Sequence, residues 1–157
     1  MTNRSAVHRF LLRAWLGAAL TLGVALLVVE LDDSALLLAS LGGSCVILFG
    51  NPDGDMAQPR SLFGGHLIGT LSGLVFLHGF GAGWWVMALA MASALVVMLV
   101  TDTVHSPAGA DPLIVIAAHA PWTFVLNPVA SGIAVLFVGA LIVNNLGHGQ
   151  RYPRRWR

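Results

Sequence analysis

Asp102 and His105 are the residues of this chain best suited, by type and spacing, to proton chemistry. They are three positions apart, so the acid and the imidazole can pair if a helix continues through both. Such a pair can relay protons, because histidine titrates near neutral pH and a carboxylate can hold its ring in one orientation. The alternative is that Asp102 only caps or solvates a turn at a membrane interface.

A helix start is predicted directly after His105. Ser106 is a favoured N-cap residue, and Pro107 fits the first helical turn. The free N–H groups at such a helix end suit a small anion. Asp33 and Ser34 precede another apolar segment in the same style, so two helix ends could converge on one site if the fold brings them together.

Arg60 is the only arginine away from the two ends of the chain. Its fork of donors can pair with an anionic substrate, and equally with Asp53, Asp55 or a lipid phosphate. Its interior position in the chain favours the substrate.

His66 lies beside a row of small residues. Gly65, Gly69 and Gly73 are spaced by four, which places all three on one helix face and lets another backbone approach closely. We therefore expect His66 to point into a helix bundle, either as a transport residue or as a packing histidine bonded to a carbonyl.

The remaining polar residues and motifs point to fewer functions. Asn144 and Asn145 lie near the end of the last apolar segment, where hydrogen bonding between helices is expected and a pathway role is the alternative. The chain contains no HxxxH or HExxH pattern, no CxxC, no Walker loop and no GxSxG. We therefore expect no metal, no cofactor and no enzyme activity.

Composition places these residues in a membrane protein. The chain is 57% hydrophobic and 10% charged, with a mean hydropathy of +0.81, whereas about a quarter of the residues of a soluble domain are charged. Most of its 157 residues are needed to cross the bilayer. It is therefore expected to form one domain without a separate soluble module.

Six apolar segments predict the fold class, an all-α polytopic membrane protein. Four of them have the length that spans a bilayer, about 20 residues. The second is short, and the fifth is interrupted by Pro112 and Pro121, so these two are expected to be short or broken membrane segments. The six segments are residues 11–31, 35–50, 62–80, 84–101, 108–126 and 129–146.

The order of spanning helix, short segment, Asn-Pro and spanning helix occurs twice, which predicts an internal repeat. The Asn-Pro pairs are Asn51-Pro52 and Asn127-Pro128. Short or interrupted segments at matching positions of two halves point to a transporter's binding site. If the short segments cross fully, the halves are inverted. If they are re-entrant, the halves are parallel. Arg60 is cytoplasmic only in the first arrangement, which the positive-inside rule favours.

The distribution of charge predicts the topology. All eight basic residues are arginines and seven lie at the two ends of the chain, so the positive-inside rule places both termini in the cytoplasm. No small-x-small cleavage site follows the first apolar segment, which is expected to be a retained helix.

The chain divides into three parts: a cytoplasmic tail (1–10), a transmembrane domain (11–146) and a second cytoplasmic tail (147–157). The second tail is basic and aromatic, and we expect it to anchor at the lipid interface rather than to bind nucleic acid.

Three groups of residues resemble the HPP family of small integral membrane proteins. The resemblance covers residues 10–157 and implies a helical membrane domain of at least four spans, with plastid and cyanobacterial relatives associated with nitrite transport. The His-Pro-Pro for which the family is named is here His105-Ser106-Pro107. The groups are Gln58-Pro59-Arg60 with Gly64-Gly65-His66, His105 with Pro107-Ala108-Gly109-Ala110, and Asn144-Asn145 with Arg151-Tyr152-Pro153 and Trp156.

Together these features predict a transporter or channel for a small monovalent anion, with nitrite as the expected substrate, in a bacterial inner (plasma) membrane. The alternative is a non-transporting membrane scaffold, and membrane-embedded catalysis is disfavoured. The two short segments are expected to meet near the bilayer midplane, and so small a chain is expected to form a homo-oligomer. The predicted substrate-binding residues are Arg60, His66, Asp102, His105, Ser106, Pro107 and Gly109, and the predicted structural residues are Gly65, Gly69, Gly73, Asn144 and Asn145.

Overall fold

A computed structural model describes residues 4–29, 35–146 and 151–156 of the protein. Within these ranges every regular element is a helix and there is no strand, which confirms the predicted all-α class. A helix suits so apolar a chain because it satisfies its own backbone hydrogen bonds in lipid. The α-helices are α1 (Arg4–Val29), α2 (Ala35–Gly50), α3 (Pro59–Phe80), α4 (Trp84–Thr101), α5 (Asp111–Ala117) and α6 (Ser131–Asn145).

Three described segments are long and apolar enough to cross a membrane, where the sequence predicts four. The apolar part of α4, Trp84–Val100, falls short of that length. Helix α4 ends at Thr101 because Asp102 adopts a left-handed backbone conformation (φ 55) and its N–H bonds back to the carbonyl of Leu99. The three long segments are Arg4–Val28, Pro59–Phe80 and Trp122–Asn145.

The fifth apolar segment is broken, but not at both of the predicted prolines. A 3-10 turn, Ser106–Ala110, leads directly into α5, and Pro112 lies in the first turn of that helix. Proline has no backbone N–H, but the first turn of a helix has no intrahelical acceptor for that group, so no hydrogen bond is lost. The helix ends instead at Ala117, before His119 takes a left-handed conformation (φ 50) and Pro121 follows.

The helix bundle has two ends, which we name after residues that lie there. At the Arg60 end, Arg60 near the start of α3 donates to the carbonyl of Thr101 at the end of α4. At the Phe80 end, Phe80 at the end of α3 contacts Trp85 at the start of α4. Helices α3 and α4 are therefore antiparallel.

The segment from Thr103 to Val115 runs beside α3 in the same direction. The row of glycines on α3 makes this close approach possible, as the sequence predicts. A Cβ atom at Gly69 would lie 2.5 Å from the carbonyl oxygen of Ala108, so a larger residue there would displace the segment. The neighbouring pairs along the contact are Gly65 with His105, Gly69 with Ala108, and Gly73 with Val115.

Helices α1 and α6 are also antiparallel. Gly17 of α1 lies against Val143 near the end of α6, and one turn later Thr21 lies against Gly139. Tyr152, shortly after α6, donates to a carbonyl in the loop before α3. The end of α6 therefore lies at the Arg60 end, and α1 begins on that side of the bundle.

The packing partners repeat between the two halves of the bundle. Helix α1 packs on α6 as α4 packs on α3, and α2 contacts α1 and α6 as α5 contacts α4 and α3. The set of partners is thus unchanged when α1 to α3 are exchanged with α4 to α6.

Candidate functional site

Two histidines lie side by side in the interior of the bundle. His66 is 0% exposed and His105 is 1% exposed, and their ring centroids are 5.0 Å apart. Asp111, the carboxylate nearest to them, is also buried. Ionisable groups in a membrane domain are costly to bury and are normally paired or functional, so this cluster is the candidate site.

One arm of the cluster joins Asp111 to His66. The Nδ1 atom of His66 is 2.7 Å from one carboxylate oxygen of Asp111. The other carboxylate oxygen accepts a hydrogen bond of 2.7 Å from the Ser40 hydroxyl. The carboxylate is therefore held from two sides, and it sets the orientation of the His66 ring.

Ser44 connects the two histidines. Its hydroxyl oxygen is 2.9 Å from the Nε2 atoms of both His66 and His105. At its other ring nitrogen, Nδ1, His105 donates to the carbonyl of Met56 over 2.8 Å. The result is one continuous chain of hydrogen bonds in the order Asp111, His66, Ser44, His105 and the Met56 carbonyl.

Three parts of the fold bring these side chains together. Helix α2 supplies Ser40 and Ser44 from consecutive turns of one face, and α3 supplies His66. The third part is the loop after α4, which supplies His105. The glycine row of α3 lets His105 come close, since a Cβ atom at Gly65 would lie 2.6 Å from the Cβ atom of His105. The two short segments, α2 and the stretch ending in α5, therefore meet at this cluster, as expected.

Sequence reasoning missed three members of the cluster: Ser40, Ser44 and Asp111. Two signals could have found them. Ser40 and Ser44 are four apart within an apolar run, so they share a helix face. Asp111 directly precedes Pro112 and an apolar run, where a carboxylate at the beginning of a helix is typical.

Arg60 and Asp102 lie outside the cluster, at the surface of the Arg60 end. The Asp102 side chain is 89% exposed and lies 3.6 Å from Arg60. The predicted pair between Asp102 and His105 is not formed, because α4 ends before Asp102 and His105 turns inward. The partner of Arg60 is likewise neither Asp53 nor Asp55.

The predicted helix start after His105 takes a different form. His105 occupies the cap position with no side-chain cap bond, and Ser106 is the exposed first residue of the 3-10 turn. Pro107 has no N–H, and the N–H of Ala108 already donates to the His105 carbonyl. This turn therefore has fewer free donors for an anion than the sequence predicts. Gly109 is partly exposed beside open space.

A groove outside the cluster leads to its edge. It has a volume of about 440 Å³ and lies between α2 and the 3-10 turn. Ser40 lines this groove and donates to the Asp111 carboxylate beneath it. Pro107 lines the opposite wall, and its carbonyl lies 3.1 Å from the Ser40 hydroxyl.

A second, polar pocket of about 110 Å³ opens at the Arg60 end. Residues 151–156, which we call the strap, pass beside it. The buried Gln58 accepts hydrogen bonds from the backbone N–H groups of Arg154 and Arg155. The pocket is lined by Asp55, Gln58, Arg60, Ser61, Asp102 and Arg155.

The two asparagines fasten this end of the bundle. Asn144 donates to the carbonyl of Leu48 across a helix contact, as predicted, whereas Asn145 binds both backbone groups of Tyr152 in the strap. Burial raises the pKa of the Tyr152 hydroxyl, which donates to the carbonyl of Ala57 over 2.7 Å. The strap therefore holds the loop that carries the Met56 carbonyl.

Some predicted features cannot be placed in this site. Asp33 and Ser34, predicted to begin the short helix α2, lie outside the described residues, as do residues 147–150 of the C-terminal tail.

Among the described residues no group of three or more His, Cys, Asp or Glu side chains is arranged to hold a metal ion.

Comparison with known proteins gives the same class of molecule. A family model described as the HPP transmembrane region matches residues 3–153. Two curated proteins of Dictyostelium discoideum, both named as transmembrane proteins, are each 35% identical to the chain, over 132 residues (79% of this chain, 42% of the relative) and over 128 residues (76% and 45%). The chain thus spans less than half the length of these relatives. No solved structure matches it.

Proposed function

The chain belongs to the HPP family of transmembrane proteins, and we propose that it carries a small monovalent anion across a membrane. The observation that supports this most directly is the buried chain from Asp111 through His66 and Ser44 to His105. Ionisable residues inside a membrane domain mark ion pathways and proton relays. Nitrite is the first substrate to test, because the family resemblance implies it.

The arrangement of the two halves supports transport. Exchange of α1 to α3 with α4 to α6 preserves the packing partners, and the two short segments meet at the histidine cluster. Inverted repeats with short or broken helices at their contact form the substrate sites of many transporters. We therefore propose six crossings with inverted halves, both ends of the chain in the cytoplasm and a bacterial inner membrane as the location.

The polar groups near the cluster suit an anion. Among the described residues, the Thr70 hydroxyl is the one buried side-chain polar atom without a hydrogen-bond partner, and it lies one helical turn beyond His66. Such a group is a free donor for a passing ion or water. Arg60 lies six residues before His66, about 9 Å away along α3, and would attract an anion to the Arg60 end.

Uptake into proteoliposomes tests the substrate. We expect the purified protein to take up nitrite above the level of empty vesicles and to exclude the divalent anion sulfate. Asp111→Asn should reduce this uptake, because it removes the charge that orients His66. Ser131→Ala is the matched control, since the Ser131 hydroxyl bonds only to Asn127 and Pro128, just before α6 and outside the cluster. No nitrite uptake at any pH from acid to neutral contradicts the substrate.

A non-transporting scaffold is the second candidate. The observation that favours it is the complete bonding of the cluster, in which every polar side-chain atom has a partner. A scaffold role predicts that His105→Ala lowers stability without a separate loss of flux. Transport predicts that flux falls further than the folded fraction does. A second copy of the chain is the partner we propose in either case, because so small a chain rarely encloses a pathway alone.

We propose no enzymatic role for the cluster. Ser44, His66 and Asp111 are connected in the same order as a hydrolytic triad. A nucleophile, however, must reach a substrate carbonyl, and Ser44 is 0% exposed with its hydroxyl already shared by His105.

A further inference from the structure

Ser44 has more hydrogen-bond acceptors around it than its single proton can serve. Its hydroxyl oxygen is 2.9 Å from the carbonyl oxygen of Ser40 and 2.9 Å from the Nε2 atoms of His66 and His105. A serine hydroxyl donates one hydrogen bond and accepts two. If neither Nε2 atom carried a proton, three acceptors would compete for one donor.

The far side of each ring limits where protons can be. The Nδ1 atom of His105 faces the carbonyl of Met56, which only accepts, so this nitrogen carries a proton. The Nδ1 atom of His66 donates its proton to the Asp111 carboxylate across 2.7 Å. The two Nε2 atoms are therefore the only ring positions whose protonation can vary.

A single proton on either Nε2 atom satisfies both rings, because the Ser44 hydrogen then goes to the unprotonated ring rather than to the Ser40 carbonyl. With protons on both Nε2 atoms, Ser44 would donate to the Ser40 carbonyl and the site would carry one net positive charge. When His66 carries it, His66 donates to Ser44 and Ser44 donates to His105. When His105 carries it, both donations reverse. In each case the positive imidazolium is balanced by the Asp111 carboxylate, so the site has no net charge. That matters because an unbalanced charge is very costly to bury.

We propose that His66, Ser44 and His105 form a binding site for one exchangeable proton, which the Ser44 hydroxyl passes between the two rings. In the transfer, the N–H bond at Nε2 of His66 breaks as a new O–H bond forms at Ser44. The original O–H bond of Ser44 breaks as an N–H bond forms at Nε2 of His105. No group is oxidised or reduced, and the positive charge moves from one ring to the other.

The surroundings contain no other charged group that would compete for this proton among the described residues. Helix α3 contributes His66, the loop after α4 contributes His105, and α5 contributes Asp111. Helix α2 contributes the hydroxyls of Ser40 and Ser44. The loop before α3 contributes a carbonyl, and its Asp55 side chain is exposed and pairs with Arg155.

The consequence for transport rests on the proposed function. A site that is neutral with one proton becomes positive when it takes up a second, and an arriving monovalent anion cancels that charge. The inferred substrate class is therefore a monovalent anion that moves together with one proton, so that net charge does not cross the membrane.

Nitrogen NMR of the intact protein in lipid nanodiscs tests the proton site without any transport assay. The protein carries 15N-labelled histidine, and the variants His66→Gln and His105→Gln assign the two rings. Near neutral pH the protonated fractions of the two Nε2 atoms should add up to one. Ser44→Ala should abolish exchange between the rings and move both Nε2 signals, whereas Ser131→Ala should move neither.

Two results overturn the proton site: a sum of zero or two protons in the unmodified protein, or ring signals that Ser44→Ala leaves unchanged. Measurement of proton uptake with nitrite in proteoliposomes then tests the coupling. Ser44→Ala should lose proton uptake that accompanies nitrite, while Ser131→Ala retains it. Failure of nitrite flux with a positive NMR result rejects the proposed substrate and leaves the proton site standing.

Discussion

At the scale of single residues, the geometry of the cluster depends on Asp111 as much as on its two histidines. Asp111 is buried and bonds to both Ser40 and His66. Asp102 is exposed and makes one ion pair with Arg60. Two aspartates that are close in the sequence therefore have opposite surroundings, which allows a matched comparison.

We expect Asp111→Asn to destabilise the protein strongly. Removal of one partner of a buried ion pair leaves an uncompensated group and costs about 3–5 kcal/mol. Asp102→Asn is the control, because loss of an exposed pair costs about 0–1 kcal/mol. Unfolding of both variants in detergent micelles, followed by circular dichroism, measures the difference. Equal losses of stability would show that Asp111 and His66 are not coupled in the folded protein.

At the scale of elements, the site depends on how closely the Thr103 to Val115 segment approaches α3. Gly69→Ala should separate them, since its Cβ atom would meet the Ala108 carbonyl at 2.5 Å. Overpacking of this kind costs about 1–3 kcal/mol. Gly79→Ala on the same helix has open space and should be neutral or stabilising, because alanine favours a helix over glycine by about 1 kcal/mol. Thermal unfolding compares the two, and an equal effect would contradict the close contact.

The strap is the second element with a testable role. Tyr152→Phe leaves the buried carbonyl of Ala57 without its donor, which costs about 1–3 kcal/mol. We expect faster hydrogen exchange in residues 53–58, measured by mass spectrometry. Arg155→Gln is the control, because its ion pair with Asp55 is exposed. Unchanged exchange in Tyr152→Phe would mean that the strap does not hold this loop.

At the scale of the whole molecule, the sequence predicts the helical class, the membrane environment and the small-residue face of α3, because these follow from composition and spacing. It does not predict the cluster. Periodicity shows which residues share one helix face, but Ser40 and Asp111 meet only through the contact of two helices far apart in the chain. The Asp102 and His105 pair fails for a local reason, since a left-handed residue ends α4 where the spacing rule assumes that the helix continues.

The direction of α5 decides whether the two halves are inverted. The structure runs this segment from the Arg60 end toward the Phe80 end, beside α3. Cys45 is the one cysteine of the sequence and is removed first, as Cys45→Ala. We then expect single cysteines at Ala82 and Ala118, both exposed, to react with a membrane-impermeant maleimide from one side of the membrane. A cysteine at the exposed Asp55 should react only from the other side. Sealed vesicles of known orientation provide the measurement. If the fifth segment is re-entrant, a cysteine at Ala118 should instead react from the same side as the one at Asp55. That result would replace the six crossings with inverted halves by four crossings with parallel halves.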